Sequence, residues 1–163
     1  YKRQAYQDIT IPFQMSSVEF FTMVKEHLNE NGVMVVNMNM RGNNEGNINQ
    51  YLSDTIASVF DHIVTVDVDG STNRELYASS NADMVKTLEN NANETGHSDL
   101  RDMMLHVADT SSVYEAGDYI MTDDKAPVEL LGMQVIDQLI QGEVAYYKDI
   151  FEKDGINGLL ESL

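Results

Sequence analysis

The side chains of this sequence that could carry chemistry are carboxylates. Asp123 and Asp124 stand side by side just ahead of Ala126-Pro127, and Asp8 lies in the segment before the first amphipathic stretch. Carboxylates so placed can hold a cationic ligand or accept a proton from one. Each also has a plainer reading: Asp8 as a solvated turn residue, and the Asp123-Asp124 pair as N-cap residues favoured by the dipole of a helix starting near Pro127. Several other chemistries drop out. With no cysteine in the chain, disulfides, thiolate nucleophiles and cysteine-bound zinc are excluded. His27, His62, His97 and His106 form neither an i to i+4 pair nor H-E-x-x-H, so surface or helix-end roles account for them without a metal. Asp67-Val68-Asp69-Gly70 invites a calcium reading, but the loop lacks the glycine and glutamate that an EF-hand needs at its sixth and twelfth positions. Gly42 and Gly46 give G-x-x-x-G without the third glycine of a dinucleotide turn or a P-loop lysine, which makes a plain loop. The methionines, Met38 and Met40 among them, read as core packing.

These residues need elements to hold them. Ser16-Ser17-Val18-Glu19 has the S-x-x-E spacing of a capping box, and Phe20, Val24 and Leu28 continue it at helical spacing until Asn31-Gly32. Val33-Met34-Val35-Val36 is a continuous apolar run, the pattern of a central strand covered on both faces. The glycine- and asparagine-rich residues 37–47 predict a loop at that strand's carboxyl end. Ile48, Leu52, Ile56, Val59 and Phe60 then mark a helix, and Ile63, Val64, Val66 and Val68 a second strand. After the Asp69-Gly70 turn, a third strand over residues 74–79 should pair antiparallel with the second at a sheet edge. Helical spacing returns at residues 82–93 and 98–109, the latter with Ser98 as N-cap and Leu100, Met103, Met104 and Val107 on one face. A last helix begins near Pro127 and runs through Val128, Leu131, Val135 and Leu139, with Gly142, Gly155 and Gly158 breaking the tail into short pieces. No fixed-period repeat is present.

The chain has 163 residues, 10 Lys plus Arg against 27 Asp plus Glu, for a formal net charge of -17. That length supports one domain with a sizeable core. The acidic balance argues against nucleic acid or an anionic membrane as partner, because each phosphate contact needs a cation. No apolar run approaches the 18 or so residues of a membrane span and the first eight residues lack the character of a signal peptide, so the expected location is cytoplasmic. Helix, buried strand, helix, strand, turn, strand is the order found in the back half of an open α/β sheet, whose ligands sit beyond the carboxyl ends of the strands.

Three stretches in order carry a resemblance: Ala5-Tyr6-Gln7-Asp8-Ile9-Thr10-Ile11-Pro12-Phe13, then Glu19-Phe20-Phe21 continuing to Asn31-Gly32-Val33-Met34-Val35-Val36-Asn37, then Thr122-Asp123-Asp124-Lys125-Ala126-Pro127-Val128-Glu129. Together they resemble the C-terminal half of the spermidine synthase family, the polyamine aminopropyltransferases built on the AdoMet-dependent methyltransferase sheet, and within it a divergent branch with D-A-Y or D-A-F and T-D-D-x-A-P-V-E. The likeness covers roughly residues 5–80 and 119–131. It implies an α/β fold: the C-terminal half of a Rossmann-like sheet ending in an antiparallel strand pair, with additional C-terminal helices. Residues 1–163 would then form one partial domain, 5–80 in the sheet and 81–163 mainly helical.

The same resemblance implies a catalytic role for Asp8 and substrate-binding roles for Tyr6, Gln7, Asp123 and Asp124. The family's other loop aspartate falls on Gln4, an amide that cannot serve as a general base near neutral pH. The implied co-substrate of the parent is decarboxylated AdoMet, or AdoMet, with none bound by this chain alone because the donor half of the sheet would come from elsewhere. The implied acceptor is a polyamine or other small cation, and the open sheet should pair as a homodimer or with an N-terminal half. Two rival expectations are a non-catalytic binding or assembly module, with Gln4 as its mark, and an AdoMet-dependent methyltransferase.

Overall fold

The computed structural model describes residues 12–38, 45–71 and 73–162. After a short 3-10 turn at Phe13–Met15, the elements are α1 (Val18–His27), β1 (Val33–Met38), α2 (Ile48–Ala57), β2 (His62–Asp67), β3 (Arg74–Ser79), α3 (Met84–Glu94), α4 (Ser98–Thr110), β4 (Ser112–Val113) and α5 (Val128–Ser162). The four strands form one sheet in the order β1-β3-β2-β4. β3 runs antiparallel to both neighbours, with Val36 opposite Leu76 on one side and Thr65 opposite Leu76 on the other. β1 and β2 are therefore parallel to each other, joined by the crossover through α2, with β3 returning between them.

This arrangement corrects two expectations. The antiparallel pair β2-β3 forms as the residues 69–70 turn predicts, with Gly70 supplying a positive φ of 67° that glycine adopts at little cost. However, β3 lies inside the sheet rather than at its edge, and the two-residue β4 borders β2 through Val64 opposite Val113. The run 33–36 is not covered on both faces. Val36 and Met38 point into the core, while Val33 is 41% and Val35 52% exposed. Because β1 pairs with β3 alone among the described residues, its continuous apolar sequence belongs to an edge strand here.

One face of the sheet carries the core. Phe21 of α1, Leu52 and Ile56 of α2, Val128 and Leu131 of α5 and Met121 pack on Val36, Met38, Ile63, Leu76 and Ala78. Over the other face lies the α3-α4 hairpin, and a mostly apolar cavity of about 320 Å3 separates Val33, Val35, Val64 and Tyr77 from Met84, Leu88 and Val107. α4 turns Ala108 inward and leaves Leu100 and Met103 exposed, so its packed face is narrower than the helical spacing suggests. Its N-cap is His97, and Ser98 is its first residue, bonding to Asp99 instead of capping.

The ends of α1 and α5 also differ from expectation. α1 closes at Leu28, where the backbone turns extended, ahead of Asn31-Gly32. α5 continues through Gly142, but as expected it breaks at Gly155, whose φ of 64° and ψ of -157° join two helical segments across a kink. At Gly142 four or more flanking helix formers outweigh one glycine, whose penalty is about 1 kcal/mol. Among the described residues no helix is long and apolar enough to cross a membrane.

Candidate functional site

Connectivity places the site. α1 leads into β1, so its N-terminus lies at the carboxyl end of β1. α2 starts from that same end after Met38. The capping serine is Ser17, not Ser16: Ser17 Oγ accepts from the Phe20 amide at 3.2 Å, while Ser16 Oγ donates to the Phe13 carbonyl at 2.8 Å. Asn47 caps α2 by accepting from the Gln50 amide at 3.0 Å. Two helix N-termini thus meet at one end of the sheet, and each favours negative charge nearby.

Onto this end the chain folds a strap, residues 114–125. Asp54, in the second turn of α2 and 1% exposed, anchors it. Its Oδ1 accepts from the Tyr114 hydroxyl at 2.6 Å and the Gly117 amide at 3.0 Å, and its Oδ2 from the Tyr119 amide at 3.1 Å. A buried carboxylate needs such donors, and Gly117 is required for one of them, since a Cβ there would fall 2.5 Å from Asp54 Oδ2. Burial, and then the bond to Asp54, push the Tyr114 hydroxyl well above its ordinary pKa. Thr55 Oγ1 accepts from the Met121 amide at 2.9 Å, which seats the fully buried Met121.

The far end of the strap reaches α1. The Val18 amide donates to the Met121 carbonyl at 2.9 Å, and Thr122 and Lys125 close a turn with bonds of 3.1 and 2.9 Å. Asp123 sits at the tip of that turn. Its Oδ1 accepts from Ser17 Oγ, and its amide donates to Glu19 Oε2 at 3.0 Å. Glu19 is therefore not the closing member of a capping box; it holds the strap. The Asp123 carboxylate serves the N-terminus of α1 rather than that of α5, and Asp124 beside it is exposed. Farther along the same end, the Tyr119 hydroxyl donates to Glu45 Oε1 at 3.2 Å, and its ring packs against Tyr51 with centroids 4.9 Å apart.

The result is a rim of carboxylates (Glu19, Glu45, Asp123, Asp124) with two tyrosine rings set among them. Such a rim can hold an extended cation by charge and through ring faces. Of the residues expected from sequence, Asp123 and Asp124 fall in this rim. Asp8, Tyr6 and Gln7, with Gln4, lie outside the described residues, which begin at Pro12. Sequence reading does not find Asp54, Tyr114, Gly117 or Tyr119, because their partners are some sixty positions apart (|i−j| of 60, 63 and 65). No local pattern marks Asp54 either, since it stands two positions from Leu52 and from Ile56 and so falls off the apolar stripe Ile48, Leu52, Ile56.

By fold and site this is an α/β protein with an acidic, tyrosine-bearing rim at one end of its sheet. No family model matches the chain. The resemblance carried by the three motifs is borne out by a curated relative: the chain is 50% identical, over 98% of its length, to the "Probable polyamine aminopropyl transferase" of Bifidobacterium longum (strain NCC 2705). It spans 40% of the length of that relative.

Proposed function

We propose that this chain is the acceptor-side, C-terminal portion of an aminopropyltransferase of the spermidine synthase type, and that its parent transfers an aminopropyl group from decarboxylated AdoMet to a polyamine. The observation that carries this reading is the anchoring of Asp123 on the α1 cap, which fixes the T-D-D turn at the carboxyl end of β1. In the transfer, a neutral amine nitrogen attacks the methylene bonded to the sulfonium. The carbon-sulfur bond breaks with its electron pair going to sulfur, methylthioadenosine leaves, and the new ammonium gives up a proton. The rim's carboxylates hold the remaining charged nitrogens, and Asp8 is the proton acceptor in this reading. Tyr6 and Gln7 contact the substrate beside it.

The sheet supports a Rossmann-like parent, since β1 and β2 are parallel with a helical crossover, and the edge of β1 that has no partner among the described residues can take a further strand. The donor-binding half would come from the rest of the parent, a soluble cytoplasmic enzyme in this reading. Titration calorimetry on the full-length parent and on this chain, with decarboxylated AdoMet, methylthioadenosine and putrescine, tests it. The parent should bind all three and form methylthioadenosine, and Asp124→Asn should raise the KM for the amine without moving the thermal midpoint. A parent that binds no adenosyl compound, or that adds a methyl instead of an aminopropyl group, would overturn the proposal.

A further inference from the structure

The Asp54 side chain accepts three bonds, all from the strap: the Tyr114 hydroxyl, the Gly117 amide and the Tyr119 amide. As a device for stability alone this is a poor one, because desolvating a carboxylate offsets much of what its donors return. What two oxygens aimed at three donors supply is a fixed position.

Two more residues of α2 hold the same end of the sheet. Thr55 Oγ1 accepts from the Met121 amide and donates to the Tyr51 carbonyl at 2.6 Å, and Gln50 Oε1 accepts from the Gly46 amide at 2.8 Å. Glu45, Tyr51 and Tyr119 are thus all held from one helix. Asp123, on the α1 side of the rim, is held by Ser17 and Glu19. Residues 119 to 123 bridge the two sides, so the place at which Asp54 holds Tyr119 sets the spacing between the two groups of carboxylates. At 1% exposure Asp54 cannot touch an amine in the rim and acts only through the residues it holds.

Taking the rim as the acceptor site, we propose that Asp54 is its positioning residue: by fixing Tyr119 against Glu45 and Tyr51, it sets the spacing at which the site takes an extended polyamine.

Two substitutions break the contact from opposite sides. Asp54→Asn keeps the shape but turns an amide nitrogen, itself a donor, toward one of the strap's donors. Gly117→Ala leaves Asp54 intact and puts a Cβ 2.5 Å from its Oδ2. The readout on this chain is the rise in melting temperature that spermidine gives beyond magnesium at equal ionic strength. Both variants should lose that excess, although neither residue belongs to the rim. Val66→Ala, at a buried position on the face of β2 that Val64 turns toward the α3-α4 hairpin, is the destabilised control and should keep the excess while melting lower throughout. In the full-length parent, Asp54→Asn should raise the KM for the amine about tenfold and leave the KM for decarboxylated AdoMet unmoved. A parent that forms no methylthioadenosine would defeat the reaction proposed for it, and the spermidine response of this chain would still decide the role of Asp54. Absence of the excess in the unsubstituted chain, its survival in either strap variant, or its loss in Val66→Ala as well would overturn the proposal.

Discussion

At the scale of single residues, Ser17 joins two parts of the molecule. Its hydroxyl accepts from the Phe20 amide and donates to Asp123, so one side chain caps α1 and tethers the turn from residue 122 to 125. Ser17→Ala should cost about 1–2 kcal/mol, the upper range for a lost N-cap, read as a lower urea midpoint with an unchanged slope. Tyr114 gives a second test. Its folded pKa is raised above the ordinary 10.0, so its contribution is fully present below pH 10 and is lost as the pH rises through the alkaline range. The wild type should lose stability between pH 8 and about pH 10.5, where an ordinary tyrosine ionises. Tyr114→Phe should be less stable at pH 8 by about 1–3 kcal/mol, because Asp54 loses a buried donor, and should show a flatter alkaline decline. Denaturant melts of both proteins at the two pH values decide it. The Asp123-Asp124 pair is legible in sequence as residues that favour a helix N-terminus; which helix it serves depends on the Asp54 anchor, and no local pattern contains that.

Among the elements, the accuracy of sequence reading follows the range of the forces involved. The limits of β3, residues 74–79, and the stripe of α2 are legible because alternation and helical spacing are local consequences of burying one face. The position of β3 between β1 and β2 is a long-range choice, and the apolar run of β1 says what the strand could bury but not what is there to cover it. This distinction can be measured. If β1 buries only one face, Val35→Thr should change stability by no more than about 0.5 kcal/mol, and Val36→Thr, at a site 6% exposed, should cost about 1–3 kcal/mol for a hydroxyl placed in the core. Equal losses at both positions in chemical denaturation would mean that Val35 is covered in solution. α5 shows the same limit: the stripe Val128, Leu131, Val135 is legible from its spacing, but that the helix leaves the core beyond Val135 is not.

For the whole molecule, charge is the dominant long-range term. A net charge of -17 on 163 residues means that compaction brings like charges together, and the described ion pairs relieve little of it: Lys25 with Asp61 and Arg74 with Asp67 lie at the surface, where such pairs contribute about 0–1 kcal/mol each. The melting temperature should therefore climb as sodium chloride is raised from about 10 mM to about 150 mM, the range over which the screening length falls from roughly 30 to 8 Å. A diffuse field and a built rim respond differently to polycations. If the acidic surface acts only as a field, spermidine and magnesium at equal ionic strength should stabilise alike. If Glu19, Glu45, Asp123 and Asp124 with Tyr51 and Tyr119 form a cradle, spermidine should raise the melting temperature beyond magnesium, and Asp124→Asn with Glu45→Gln should remove that excess while leaving the sodium chloride response intact. Persistence of the excess in the double variant would assign polyamine attraction to the surface as a whole.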